Sequence, residues 1–203
     1  MNNTELKNTW LKITSDCRGR ESEWTEIEAA YSATGRHYHT LQHLCEVYEA
    51  LETFYGPKIP AASLFALFYH DLIYSTLRTD NEKQSADYAF AKISNWHIAP
   101  EVAELVRNMI IATASHMSED AETIIFLDAD MAILGSEENK YQNYTSRVRQ
   151  EFGIYPDLLY NRGRKKFVEG TLKREHIFLT AFFREKYEAQ ARINLANELK
   201  SLS

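Results

Sequence analysis

Cysteine is almost missing from this chain: its 203 residues hold two, Cys17 and Cys45. Two thiols make no disulfide framework, and neither has neighbours that suggest a metal ribbon. A reducing compartment, the cytoplasm, is the expectation. Proline and glycine are scarce as well, four and seven residues, and most stand where a helix would start or stop, which predicts an all-α protein. Positive charge is in deficit, with 23 Lys and Arg against 29 Asp and Glu and a net charge of −6. That balance argues against a broad nucleic-acid-binding surface. It leaves room for a small anionic substrate, whose charge a metal and a few arginines can meet locally. No stretch approaches the roughly 18 apolar residues of a membrane span, and the opening MNNTELKNTWLKIT lacks the basic start and apolar core of a signal peptide. No membrane partner is expected.

What is present is ordinary soluble composition, 44% apolar and 26% charged, in a length that suits one well-buried domain. Helical periodicity predicts helices over Thr4–Cys17, Ser22–Thr34 and Thr40–Tyr55, a central helix opened by Pro60, and further helices from Asp80 or Asn81 to Ser94 and from Pro100 to Ser115. Thr123–Leu134 has strand composition at Ile124-Ile125-Phe126-Leu127, but its length and helical neighbours favour helix. Glu137–Phe152, Pro156–Leu172 and one long helix over Glu175–Leu199 complete the prediction. The expected architecture is a single compact helical domain, its core over about residues 36–135 and its C-terminal helices over 137–200 packing on that core.

The chemistry gathers around Leu64–Tyr74, LFALFYHDLIY, a nearly unbroken apolar run with His70 and Asp71 set inside it. A carboxylate beside an imidazole among Leu, Phe and Ile is costly unless a salt-bridge partner or a metal ion compensates. The plainer reading of a lone histidine here is a core His70 hydrogen-bonded to a neighbouring carbonyl, with Asp71 facing a loop. Two further clusters favour the metal: His39 and His43, which share a face if the helix reaches back to His39, and Asp128 with Asp130. His70 and Asp71 diverge by about 100° on a helix but can reach one ion from opposite edges of a face. Asp128 and Asp130 point about 200° apart, so one is a direct ligand and the other a second support or a cap. Two His and two Asp form a mixed nitrogen–oxygen donor set, suited to Mn, Fe, Co, Ni or Zn with open positions rather than to a closed structural zinc site. An apolar run followed by D-x-D also resembles the nucleophile strand of haloacid-dehalogenase-type phosphatases. Met131-Ala132, and the lack of alternating strands and helices, speak against it.

In order, His43, His70-Asp71 and Asp130 resemble the H…HD…D signature of the HD-domain superfamily of metal-dependent phosphohydrolases. More narrowly, Y-H-T-L-Q-H (38–43), H-D-L-I-Y (70–74), N-E-x-x-S-A (81–86), T-A-S-H (113–116), L-D-A-D-M-A-I-L-G (127–135) and a C-terminal Y-x-x-Q-A-R-x-N-L are similar to a compact bacterial branch of that superfamily. That branch has no assigned substrate. The resemblance implies an HD-type helical fold and one divalent transition metal on His43, His70, Asp71 and Asp130, with His39, Asp128 and His116 as further candidate ligands. It also implies hydrolysis of a small phosphorylated substrate, a phosphate ester or anhydride, with a nucleotide as the substrate class. Asp71 or Asp130 would hold or deprotonate the attacking water. Arg36 or His116 would offset the charge gathering on phosphorus. Arg78 and the run Arg162, Arg164, Lys165, Lys166 are further cations that could meet phosphate, although most such runs are solvated faces. Two other readings use the same residues: a metal-stabilised module that binds a nucleotide or partner without turnover, and a metal-free helical domain whose histidines are satisfied within its core.

Overall fold

A computed structural model describes residues 1–202. The chain is all-α, with no strand among the described residues. The helices are α1 (Asn3–Ile13), α2 (Arg20–Tyr31), α3 (Leu41–Tyr55), α4 (Ala61–Tyr69), α5 (Asn81–Asn95), α6 (Pro100–Ala112), α7 (Ala121–Met131), α8 (Glu138–Glu151), α9 (Asp157–Leu172), α10 (Ala181–Phe183) and α11 (Ala189–Ser201). A 3-10 turn, Ala132–Gly135, follows α7, and a π-helical turn, Arg184–Glu188, joins α10 to α11. The ambiguous stretch over 123–134 is therefore helical, and Asp120 starts it by accepting from the backbone N–H and hydroxyl of Thr123 at 2.8 and 2.7 Å. Contacts gather the chain into two compact units, Met1–Leu127 and Asp128–Ser203.

In the first unit α4 is the pivot. Its apolar sequence leaves no polar face, so it is buried from Ala62 to Tyr69 and packs against α3, α5 and α6. Burial of Leu64, Phe65, Leu67 and Phe68 contributes about 1.5–3 kcal/mol per side chain. Trp10 of α1 meets Phe65, Phe68 and Tyr69 edge-on, with ring centroids 6.2, 5.2 and 5.8 Å away. One charge lies within this core. Glu23 of α2 is 2% exposed and accepts from the hydroxyls of Tyr69 and Tyr88 at 3.0 and 3.1 Å and from Lys92, the pairing that a buried carboxylate requires.

The central helix is shorter than predicted. It ends at Tyr69, so His70 and Asp71 stand at its C-terminus and not within it. The reason is competition for the backbone. Beyond His70 the N–H of Asp71 donates to the Tyr31 hydroxyl at 3.2 Å, that of Ile73 to Ser85 Oγ at 3.0 Å, and that of Ser75 to Asn81 Oδ1 at 3.1 Å. Asn81 and Ser85 also donate back to the carbonyls of Ser75 and Ile73, at 2.9 and 3.2 Å. Side chains of α2 and α5 thus satisfy groups that another helical turn would have used.

In the second unit the predicted long C-terminal helix starts six residues late, at Ala181 instead of Glu175, and carries a π turn. The cause is the same. Residues 173–180 are held in turns and bends by polar side chains: Glu188 accepts from the N–H groups of Ile177 and Phe178, and Arg192 donates to the carbonyls of Leu172, Arg174 and Glu175. Asn194 ties α11 to the 3-10 turn through the carbonyls of Leu134 and Ser136, at 2.9 and 2.8 Å. Gly135 lies directly against the π turn, where a β-carbon would come within 2.5 Å of Tyr187 Cβ and 2.6 Å of its carbonyl oxygen. Arg164, expected as a surface cation, is buried and forms a salt bridge with Glu198 at 2.7 Å.

Gly135→Ala should therefore destabilise the protein by about 2 kcal/mol or more, because backbone must move to admit the methyl group. Gly163→Ala, in the interior of α9 with nothing within 4 Å of the added carbon, should stabilise it by about 0.5–1 kcal/mol. Urea denaturation of the two variants reads both signs, and equal effects would contradict this packing.

Candidate metal centre

The site is assembled within the first unit from the start of α3 and the end of α4. His43 lies in the first turn of α3, whose apolar stripe of Leu44, Val47 and Leu51 faces the core. That register carries His43 inward, to 3% exposure. His70 follows the last residue of α4 and is 1% exposed. His70 keeps helical backbone angles, φ −58° and ψ −39°, and Asp71 follows it in the turn, so the two reach one point from adjacent directions. Their Nε2 and Oδ2 atoms converge to 3.2 Å.

Three donor atoms meet at this point. His43 Nε2 is 3.1 Å from His70 Nε2 and 3.7 Å from Asp71 Oδ2, and the three residues form a group that could hold a metal ion. Ligand atoms each about 2.1 Å from a common ion stand about 3.0–3.4 Å apart in octahedral or tetrahedral arrangement. Two of the three separations fall in that range and the third is a few tenths of an ångström wider, so the residues fit an ion. The tautomer fits too. His70 Nδ1 lies 3.0 Å from the Leu67 carbonyl, which can only accept, so Nδ1 carries the hydrogen. In the neutral ring Nε2 then turns a lone pair toward His43 and Asp71.

Side-chain exposure rises from His70 and His43 to 17% at Asp71 and 21% at His39. The cluster thus opens to solvent on the Asp71–His39 side. His39 Nε2 is 3.9 Å from Asp71 Oδ2, and its ring lies over Tyr74 with centroids 4.5 Å apart. Burial raises the Asp71 carboxyl pKa; positive charge on the His70, His39 and His43 rings, when they are protonated, outweighs it and holds the carboxyl well below its ordinary range. Phe126 of α7 closes the inner side, its ring edge-on to His70 at 5.7 Å.

Arg36 braces the open side. Its guanidinium donates to the carbonyls of His39, Asp71 and Leu72, at 3.1, 2.8 and 2.8 Å, and its central carbon lies 4.9 and 5.3 Å from the ring centroids of Tyr31 and Tyr74. It links the His39 loop to the turn that carries Asp71. Among the remaining predicted site residues, His116 closes the turn after α6 with a left-handed backbone, φ 51°. Arg78 pairs with Asp80 at the surface. Asp128 and Asp130 both lie in the second unit. Asp128 is 2% exposed, and its two oxygens each accept a backbone N–H, from Leu179 and Thr180, at 2.7 Å. Asp130 is half-buried on α7.

The positioning roles of Tyr31, Tyr74, Asn81 and Ser85 were not read from the sequence. The shared pattern N-E-x-x-S-A contains the signal, because Asn81 and Ser85 stand four apart on one face of α5 and both reach the turn after Asp71. Comparison of the chain with protein-family models, with curated proteins and with solved structures finds no match.

Arg36→Ala removes three charge-assisted hydrogen bonds at a half-buried position. It should cost about 2 kcal/mol and lower the midpoint of thermal unfolding by about 4–8 °C. Calorimetry checks this, and an unchanged midpoint would show that the two backbone segments hold together without the guanidinium.

Proposed function

We propose that the protein is a metal-dependent phosphohydrolase that holds a divalent transition metal on His43, His70 and Asp71 and acts on a small phosphate ester or anhydride, with a nucleotide as the substrate class. The observation that carries the metal is the convergence of two imidazole nitrogens and one carboxylate oxygen at 3.1–3.7 Å, with the His70 lone pair directed into the cluster. The phosphohydrolase chemistry rests on the resemblance of His43, His70-Asp71 and the surrounding motifs to the HD-domain superfamily. Asp130, the fourth ligand that resemblance implies, is part of the proposal on that ground.

A divalent ion bound here supplies two things: it lowers the pKa of a water and it polarises a phosphoryl oxygen. The chain supplies the rest. The Leu67 carbonyl keeps the proton of His70 on Nδ1, so Nε2 stays a donor to the ion. The ionised Asp71 carboxylate presents one oxygen to the imidazoles, and its exposed side can accept a hydrogen bond from a water. His39 lies at the solvent-facing edge, its Nε2 3.9 Å from Asp71 Oδ2, where it could hydrogen-bond a bound phosphate. Arg36 spends its donors on backbone carbonyls. In this reading it positions the His39 loop and Asp71, and it does not neutralise the phosphate directly.

The test combines elemental analysis with hydrolysis of a generic phosphodiester and a nucleotide panel in the presence of Mn, Co, Ni or Zn. Wild-type protein should carry near-stoichiometric metal and release phosphate, while Asp71→Ala, His43→Ala and His70→Ala should retain less than about a tenth of that metal and lose turnover. Asp130→Ala in the same assay reads that residue's part. Metal bound without turnover would move the reading to a metal-stabilised binding module. No metal in wild type, even after incubation with excess ion, would refute it.

A further inference from the structure

The second unit contains a feature that the metal centre does not use. At the corner between α8 and α9 three aliphatic side chains project into solvent: Ile154 in the turn is 65% exposed, and Leu158 and Leu159 in the first turn of α9 are 83% and 56% exposed. Isolated exposed aliphatics are common, but three within six residues form a patch. With so little of Leu158 covered, the corner is a projection and not a groove. The cations lie next to it. Arg162, Lys165 and Lys166 follow Leu158 and Leu159 up the same side of α9, four, seven and eight residues beyond Leu158. Among the described residues none of the three has an acidic partner. The acid at the corner, Asp157, is already neutralised by Arg149, whose guanidinium nitrogens lie 3.0 and 2.6 Å from its Oδ1.

The geometry points to an interfacial anchor: we propose that the α8–α9 corner docks on an anionic lipid surface, with Ile154, Leu158 and Leu159 entering the headgroup layer and Arg162, Lys165 and Lys166 lying along it. Charge complementarity selects this occupant. A second copy of the chain meeting the corner about a two-fold axis would bring the basic stretch against itself. A nucleic acid would use the cations but would leave three aliphatic side chains without a role, since its bases are bound by aromatic stacking and polar contacts. A projecting apolar tip with basic side chains beside it on one helix face is the arrangement of helices that lie in a membrane interface. Such docking needs no spanning segment, and no helix among the described residues is long and apolar enough to cross a membrane. The expectation of no membrane partner rested on that absence and on the missing signal peptide, neither of which bears on a surface contact. This inference is independent of the metal reading.

Co-sedimentation of the full chain with vesicles tests it, comparing phosphatidylcholine alone with phosphatidylcholine and phosphatidylglycerol at about 7:3. The protein should partition to the anionic vesicles at least about tenfold better than to the neutral ones, and raised salt should remove most of that preference. Arg162→Ser with Lys166→Ser should weaken anionic binding by about thirtyfold, since each basic side chain near such a surface contributes about fivefold. Leu158→Ser with Leu159→Ser should also weaken binding, while circular dichroism and the unfolding midpoint stay at wild-type values because both leucines are exposed. Equal partitioning to both vesicle types, no sedimentation with either, or binding unaffected by the leucine pair would overturn the proposal.

Discussion

The structure around the candidate metal centre depends on where the backbone polar groups after His70 find partners. An apolar helix such as α4 would otherwise continue, because each further turn satisfies its own N–H and carbonyl groups. It stops because Tyr31, Arg36, Asn81 and Ser85 offer those groups better-placed partners outside the helix. The consequence is chemical. Consecutive residues on a helix point about 100° apart, and His70 and Asp71 approach one point from the two edges of a face. At the helix end the chain turns, and the two donors meet at 3.2 Å. The residues that capture the backbone therefore hold the turn on which the doublet stands.

The same device operates in the second unit. Asp128, Glu188 and Arg192 hold residues 174–180 away from helix by satisfying N–H groups and carbonyls of that stretch and its edges. Asp128 shows how far such a task constrains a side chain. Burial raises its carboxyl pKa, and the hydrogen bonds from Leu179 and Thr180 pull in the opposite direction. With both oxygens committed at 2.7 Å, the carboxylate is a backbone cap. Several residues in the motifs that mark this chain, among them Asn81, Ser85, Asp128, Arg192 and Asn194, are backbone holders of this kind. A motif rich in polar residues thus mixes those that do chemistry with those that stop helices.

That mixture also explains what could be read in advance. The all-α class, the burial of LFALFYHD and the inward face of His43 follow from apolar periodicity, which is local and additive along the chain. The meeting of His43 with His70-Asp71 was legible because each stands at an edge of a strongly apolar segment, so burial leaves few directions for a polar side chain. The captures of backbone that end α4, and the non-helical stretch before α10, were not legible from local pattern, because the side chains that make them lie on other elements: Tyr31 acts from α2, Asn81 and Ser85 from α5, and Glu188 and Arg192 from beyond the segment itself. The role of Arg36 escaped for a related reason. An arginine beside histidines suggests phosphate, whereas its three partners are carbonyls from two separate segments.

The donor set has a further consequence. With the His70 Nδ1 hydrogen committed to the Leu67 carbonyl, the 3.1 Å contact between the two Nε2 atoms is attractive only if something positive lies between the lone pairs, either a proton on His43 Nε2 or a cation. Asp71 sets the preference. An ionised carboxylate 3.2 and 3.7 Å from the same two nitrogens draws positive charge into the cluster, and the low exposure of both histidines limits the water available to screen it. A single proton can satisfy one of these contacts at a time. A divalent ion held by His43, His70 and Asp71 would satisfy all three at once. The backbone restraints thereby hold together three donor atoms that could hold a metal ion, in a cluster that opens to solvent on the Asp71–His39 side.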